Sequence, residues 1–99
     1  MNMAKRSYTF YCDPGHGWLK VSYKELVALG IEDKITRHSY MRYNKNAHGW
    51  DIYLEEDCDA TLFYNTKKAF GVEIKPTYKY SQKSSKIRSY YEYNTCYAF

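Results

Sequence analysis

The chain has little of the residues that staple or break a fold: among 99 residues there are three Cys, two Pro and five Gly. Cys12, Cys58 and Cys96 are odd in number and far apart. They form no Cys-x-x-Cys pair and no Cys/His ligand spacing, which points away from zinc and towards three reduced thiols. No metal or cofactor is expected. No apolar run has the length of a signal peptide or a membrane span, so the sequence reads as cytoplasmic with no membrane partner. Internal repeats and linkers are absent as well. Most telling is the lack of any acid between Ile74 and Tyr91, a stretch that holds Lys75, Lys79, Lys83, Lys86 and Arg88. Elsewhere ten basic residues face eleven acidic ones, so this one segment carries the whole excess of the +4 net charge.

What is abundant is tyrosine. Thirteen of the nineteen aromatic residues are Tyr, so much of the apolar area bears a hydroxyl that needs water or a partner. That composition favours a sheet with one wet face. The length fits one domain, assigned to residues 7–99, behind a flexible lead of residues 1–6.

Ser7 to Cys12 alternates as a strand does, with Tyr8, Phe10 and Cys12 on one face and Thr9 and Tyr11 on the other. Trp18 to Val21 follows as the partner in a hairpin. Ser22-Tyr23-Lys24-Glu25 has the capping-box pattern, in which Glu25 reaches back to the cap. Leu26, Val27 and Leu29 continue a two-turn helix; Gly30 suits its left-handed end, and Ile31 the contact beyond it. His38 to Tyr43 reads as a third strand, Asn44 to Gly49 as a polar turn, and Trp50 to Leu54 as a fourth strand.

The acids Glu55, Glu56, Asp57 and Asp59 then precede Ala60, Leu62, Phe63, Ala69 and Phe70 at helical spacing, with Lys67 and Lys68 near the Gly71 stop. Asp57 or Asp59 is the expected cap, which accounts for most of the acid cluster without a metal or a general acid. Val72 to Ile74 begins a fifth strand that Pro76 makes an edge strand or a bulged one, Ser81 to Ser85 is a polar loop, and Tyr90 to Phe99 is a last strand. The order is ββαββαβ. It predicts an α+β fold, an antiparallel sheet of about five strands with two helices on one face.

Two stretches are candidates for function. Asp13-Pro14-Gly15-His16-Gly17 suits a tight turn, yet turn rules leave His16 unexplained. The glycines would bare backbone N–H groups to an anion, beside His16 and Trp18. In the basic segment, lysines alternate with Tyr78, Tyr80, Tyr90 and Tyr91, pairing charge for phosphate with rings for bases. The competing reading is a solvated edge strand whose lysines prevent sheet-to-sheet association. Ser84, Ser85, Arg88 and Ser89 add donors suited to a small anion. The candidate binding residues are therefore Asp13, His16, Trp18, Lys79, Lys83, Lys86, Arg88, Ser89 and Tyr90. His16, His38 and His48 invite comparison with a two-histidine nuclease, but no local motif supports a catalytic residue.

The blocks "FYCDPGHGWLKV", "ELVALGIEDKI", "YLEEDCDATLF" and "KIRSYYEY" together resemble a family of small, mostly uncharacterised proteins of bacteriophages and prophages. The likeness spans most of Tyr8 to Tyr93; the Asn44 to Gly49 connection is longer than the family pattern, and the tail past Tyr93 is particular to this chain. The resemblance implies a phage accessory protein acting in the host bacterial cell, and it supplies no catalytic residues. Three functions follow as expectations. The first is a non-enzymatic, anti-CRISPR-like counter-defence protein that binds and inhibits a host defence protein or nucleoprotein complex. The second is a sponge for a nucleotide signal or other small anion near His16 and Arg88. The third is a small acid–base nuclease. Nucleic acid remains an option as partner, and so does a homo-oligomer.

Overall fold

The computed structural model describes residues 7–98. The lead of residues 1–6 lies outside the described residues, as does the end of the expected last strand at Phe99. Six strands and two helices follow in the order β1 (Thr9–Cys12), β2 (Gly17–Ser22), α1 (Tyr23–Ala28), β3 (Tyr40–Asn44), β4 (Gly49–Glu55), α2 (Asp59–Ala69), β5 (Thr77–Tyr80) and β6 (Tyr91–Glu92). They form one sheet in the order β5-β1-β2-β4-β3-β6, an α+β architecture.

Alternation sorts the side chains as expected. Phe10, Leu19, Val21, Met41, Ile52 and Leu54 turn to one face and pack with Leu26 of α1 and with Ala60 and Phe63 of α2. Both helices therefore cover the same face. The α1 cap is the one the sequence encodes: Ser22 Oγ accepts from the Glu25 N–H at 3.2 Å. Its other end is a Schellman motif, with Gly30 at φ 72° and the Ile31 N–H donating to the Leu26 carbonyl at 3.0 Å. Gly71, at φ 82°, closes α2 in the same way, with the Val72 N–H on the Lys67 carbonyl.

Several expectations change. Glu25 does not reach back to its own cap. It is buried, and its carboxylate accepts from the Tyr8 hydroxyl at 2.6 Å and from Lys67 Nζ at 2.9 Å. A buried carboxylate gains more from a hydroxyl and an ammonium than from one amide. Neither Asp57 nor Asp59 caps α2 through its side chain. Glu55, held at the end of β4, instead accepts from the N–H groups of Asp57, Cys58 and Asp59 at 2.8, 2.6 and 2.9 Å.

Val72 to Ile74 is not a strand. Pro76 has no N–H to give, so pairing starts with the Thr77 N–H on the Tyr8 carbonyl. Nor is the sheet wholly antiparallel, because β5 pairs parallel to β1. The cause lies in the topology: β4 runs antiparallel to β2 and β2 antiparallel to β1. The β4–α2–β5 connection is thus a crossover long enough to bring β5 back in the direction of β1. Of the expected last strand only Tyr91–Glu92 pairs, against β3; Thr95–Ala98 is a short 3-10 turn.

The segment from Ser81 to Tyr90 has the largest consequence for function. It leaves β5 at one edge of the sheet and enters β6 at the other. Six strands about 4.8 Å apart are roughly 24 Å wide. Ten residues reach about 33 Å at most, so the chain has to run across a face rather than loop out. It crosses the face opposite the helices, where buried Ile87 packs on Trp18 and Tyr53, with Tyr11, Tyr40 and Tyr90 around them. The face expected to be wet carries a strap.

Candidate functional site: the Asp13 latch and the β5 edge

The hairpin between β1 and β2 closes with Cys12 opposite Gly17 and with the Asp13 N–H on the His16 carbonyl at 2.9 Å. Asp13 Oδ1 then accepts from the N–H groups of Gly15 and His16, both at 3.0 Å. Its other oxygen accepts from the Ser85 N–H at 2.8 Å, and Arg88 clamps the carboxylate through Nε at 2.7 Å and Nη2 at 2.8 Å. The Asp13 side chain is 1% exposed. One carboxylate thus ties the loop to the strap, and the Arg88 guanidinium rests 5.2 Å from the centroid of the Trp18 ring.

The arrangement explains the loop glycines by approach rather than by handedness. Neither Gly15 nor Gly17 has a positive φ. A Cβ on Gly15 would lie 2.8 Å from Arg88 Nη2, and one on Gly17 would lie 2.3 Å from the Phe10 ring. The bared N–H groups are not vacant for a ligand: Gly15 and His16 donate to Asp13, and Gly17 donates to Glu56 at 3.0 Å. The anion that the Ser85 and Arg88 donors suit is the chain's own Asp13.

The Arg88 guanidinium, followed by the Ser85 N–H and the loop N–H groups, holds the Asp13 carboxyl well below the usual aspartate range. With the folded pKa depressed, the latch contributes stability above the unfolded pKa, near 3.9, and loses it only as pH falls through the lower folded value. The Ser85 amide proton shift should therefore stay flat from pH 7 to about 4. A titration of that shift inside the window would show that the contact does not form in solution. Asp13→Ala should free the strap while the helix face holds. Trypsin cleavage after Lys83 and Lys86 should then speed up by roughly tenfold or more, as expected when a local segment opens.

His16 points away from the latch. Its Nδ1 lies 3.5 Å from Glu56 Oε1, and more than half of its side chain is exposed. Together with Trp18 and Arg88 it lines a cleft of about 400 Å³, beside the His16 and Arg88 positions where the sequence reading set an anion pocket; Arg37, His38 and Cys58 also face into it. His48 sits in the β3–β4 turn, at φ 53°, and does not line this cleft. His16 and His38 thus share the cleft while His48 lies apart, and among the described residues no cluster of His, Cys, Asp and Glu is placed to hold a metal.

The other candidates part company. Ser89 Oγ donates to the Lys86 carbonyl within the strap, and Tyr90 packs on Tyr53 at 5.2 Å with Arg42 over its ring. Lys79 is on β5 and Lys83 on the strap, both exposed. All four residues of β5 are exposed, with Tyr80 at 78%. Tyr78 and Tyr80 stack at 6.3 Å and 16°. The basic segment therefore splits into a latched part, Ser85 to Tyr90, and an open part, Lys75 to Lys83.

Among the described residues no helix is long and apolar enough to cross a membrane. None of the protein-family models, curated proteins or solved structures compared with the chain matches it.

Proposed function

We propose that this is a non-enzymatic binding protein of bacteriophage type that works in the host cytoplasm against a defence system. In this reading it occupies an acidic surface of a host defence protein or nucleoprotein complex, in the manner of an anti-CRISPR protein. The observation that carries the binding surface is the β5 edge. There an exposed, stacked Tyr78–Tyr80 pair sits among Lys75, Lys79 and Lys83, with no acid between Ile74 and Tyr91. Exposed tyrosine is what partner-binding surfaces are rich in, and the lysines around it add long-range attraction for an acidic partner rather than contact area. The phage setting rests on the resemblance of the loop and "YLEEDCD" blocks. The nucleotide-sponge reading ranks second, because Asp13 already takes the donors that an anion near Arg88 would need.

The test uses the charges left open. Arg88 belongs to the latch, so the informative variant is Lys75/Lys79/Lys83→Ala. Binding of fluorescent polyglutamate to the wild-type chain should weaken roughly tenfold between about 50 and 200 mM salt, and the triple variant should lose it at equal thermal stability. In cells carrying the targeted defence, the same variant should no longer protect an infecting phage. Binding indifferent to salt and to the three lysines would discard this surface. Binding of a single-stranded oligonucleotide but not of polyglutamate would replace the acidic protein with nucleic acid.

A further inference from the structure

The edge of β5 offers backbone as well as side chains. The N–H groups of Thr77 and Ser81 point inward, donating to the carbonyls of Tyr8 and Cys12 at 2.9 and 2.8 Å. Strand alternation then turns the N–H and C=O of Tyr78 and Tyr80 outward, and β5 is the last strand on that side among the described residues. Tyr78 opposes Phe10 in the register, so the Tyr78 and Tyr80 rings belong to the helix side and Lys79 to the strap side. Beside them on the helix side is a groove of about 360 Å³ lined by Tyr64, Lys68, Val72, Ile74, Pro76 and Tyr78. Proteins usually guard such an edge with a bulge, a short strand or a covering segment. Here the guards are the four-residue length of β5, Pro76 just ahead of it and the charge of Lys79. They limit the edge to a short partner strand, and the charge excludes a basic or identical one while favouring an acidic one.

The geometry points to β-strand addition: an extended segment of the partner pairs with the outer edge of β5, alternating acidic and β-branched residues. Its acids lie beside Lys79, and its β-branched residues lie beside the Tyr78 and Tyr80 rings and over the groove. This rests on the proposed acidic-partner reading and adds its mode. Two antiparallel copies of β5 would bring Lys79 against Lys79, so self-pairing through this edge is opposed by charge.

The probe is an acetylated, amidated peptide of about seven residues that alternates Glu and Val, long enough for an ordinary strand. It is compared with a twin N-methylated on the amides of one edge. The wild-type chain should bind the unmodified peptide and bind the twin at least tenfold more weakly, because charge is unchanged and only pairing is lost. Tyr80→Pro removes an outward N–H without touching the β1 ladder. It should cost a similar factor with the melting temperature unchanged, since Pro is tolerated on the solvent side of an edge strand. Equal binding of the two peptides overturns strand addition and leaves the acidic-partner reading standing. The same holds if polyglutamate binds through the lysines and the alternating peptide does not. If nothing acidic binds, both fall. A dimer that Tyr80→Pro dissolves would assign the edge to a second copy and overturn the proposal.

Discussion

Phe63→Ala should destabilise the fold by about 3–5 kcal/mol, the range for truncating a buried aromatic. Phe63 is fully buried on α2, with its ring 5.6 Å from the Tyr8 ring in an edge-on contact. It sits in the core cluster with Tyr8, Phe10 and Ala60, so neighbours can relax only partly into the space left behind. Leu62, one position earlier, is only partly buried and should lose roughly half as much. For a chain of this size the larger loss lowers the melting temperature by about 15 °C or more. If the two variants melt together, or Phe63→Ala melts with the wild type, α2 does not pack on the sheet as described. Because α2 is the crossover that delivers β5 to the edge, the same variant should also weaken acidic-peptide binding.

Local signals in the sequence carried well. Ser22 caps α1, Gly30 and Gly71 end the two helices, and alternation put Phe10 and Tyr11 on opposite faces. Each of these rests on neighbours within four or five residues. Interactions that span the chain escaped. Glu25 meets Lys67 across 42 positions, and Asp13 meets Ser85 and Arg88 across 72 and 75. No period or spacing records such pairs, so the polar Ser81 to Ser85 stretch read as a loop and Arg88 as a donor for an anion from outside the chain. The crossover was more accessible: a strand, an eleven-residue helix and another strand are the ingredients of a parallel pair.

The loop that stood out in the sequence proves to have a structural duty that turn rules do not supply. Asp13 fixes the hairpin and the strap, Gly15 lets the guanidinium approach, and Gly17 makes room for Phe10. This leaves His16, exposed like Pro14 and beside Glu56, as the loop side chain that lines the cleft. The latch and the binding edge are also physically joined. The Ser81 N–H anchors the end of β5 on Cys12, one residue before Asp13, so the strap's path fixes where β5 ends and which way Lys83 leaves it.

Asp59→Ala should be the second most damaging substitution, at about 3 kcal/mol, and its cost comes from polar groups rather than volume. Asp59 is 2% exposed at the start of α2. Its Oδ2 accepts from the Thr36 N–H at 3.0 Å, the Thr36 hydroxyl at 2.8 Å and the Ser39 hydroxyl at 2.6 Å. The two partners respond differently to its loss. Thr36 is exposed and can turn to water, whereas Ser39 is fully buried and already accepts from the Glu55 N–H at 2.9 Å. Without Asp59 the Ser39 hydroxyl has a proton and no acceptor, and Glu55 is the residue that caps α2. The damage should therefore spread from the 36–39 segment to the helix start and to the cleft wall formed by Arg37 and His38. Asp59→Asn keeps a carbonyl oxygen for Ser39 and should cost about half as much. Urea unfolding of the two variants checks this: a slope of about 1–3 kcal/mol/M puts the alanine midpoint well over 1 M below wild type, with asparagine between them. Equal midpoints for wild type and Asp59→Ala would mean that Ser39 finds another acceptor and that the Asp59 contacts do not hold the segment.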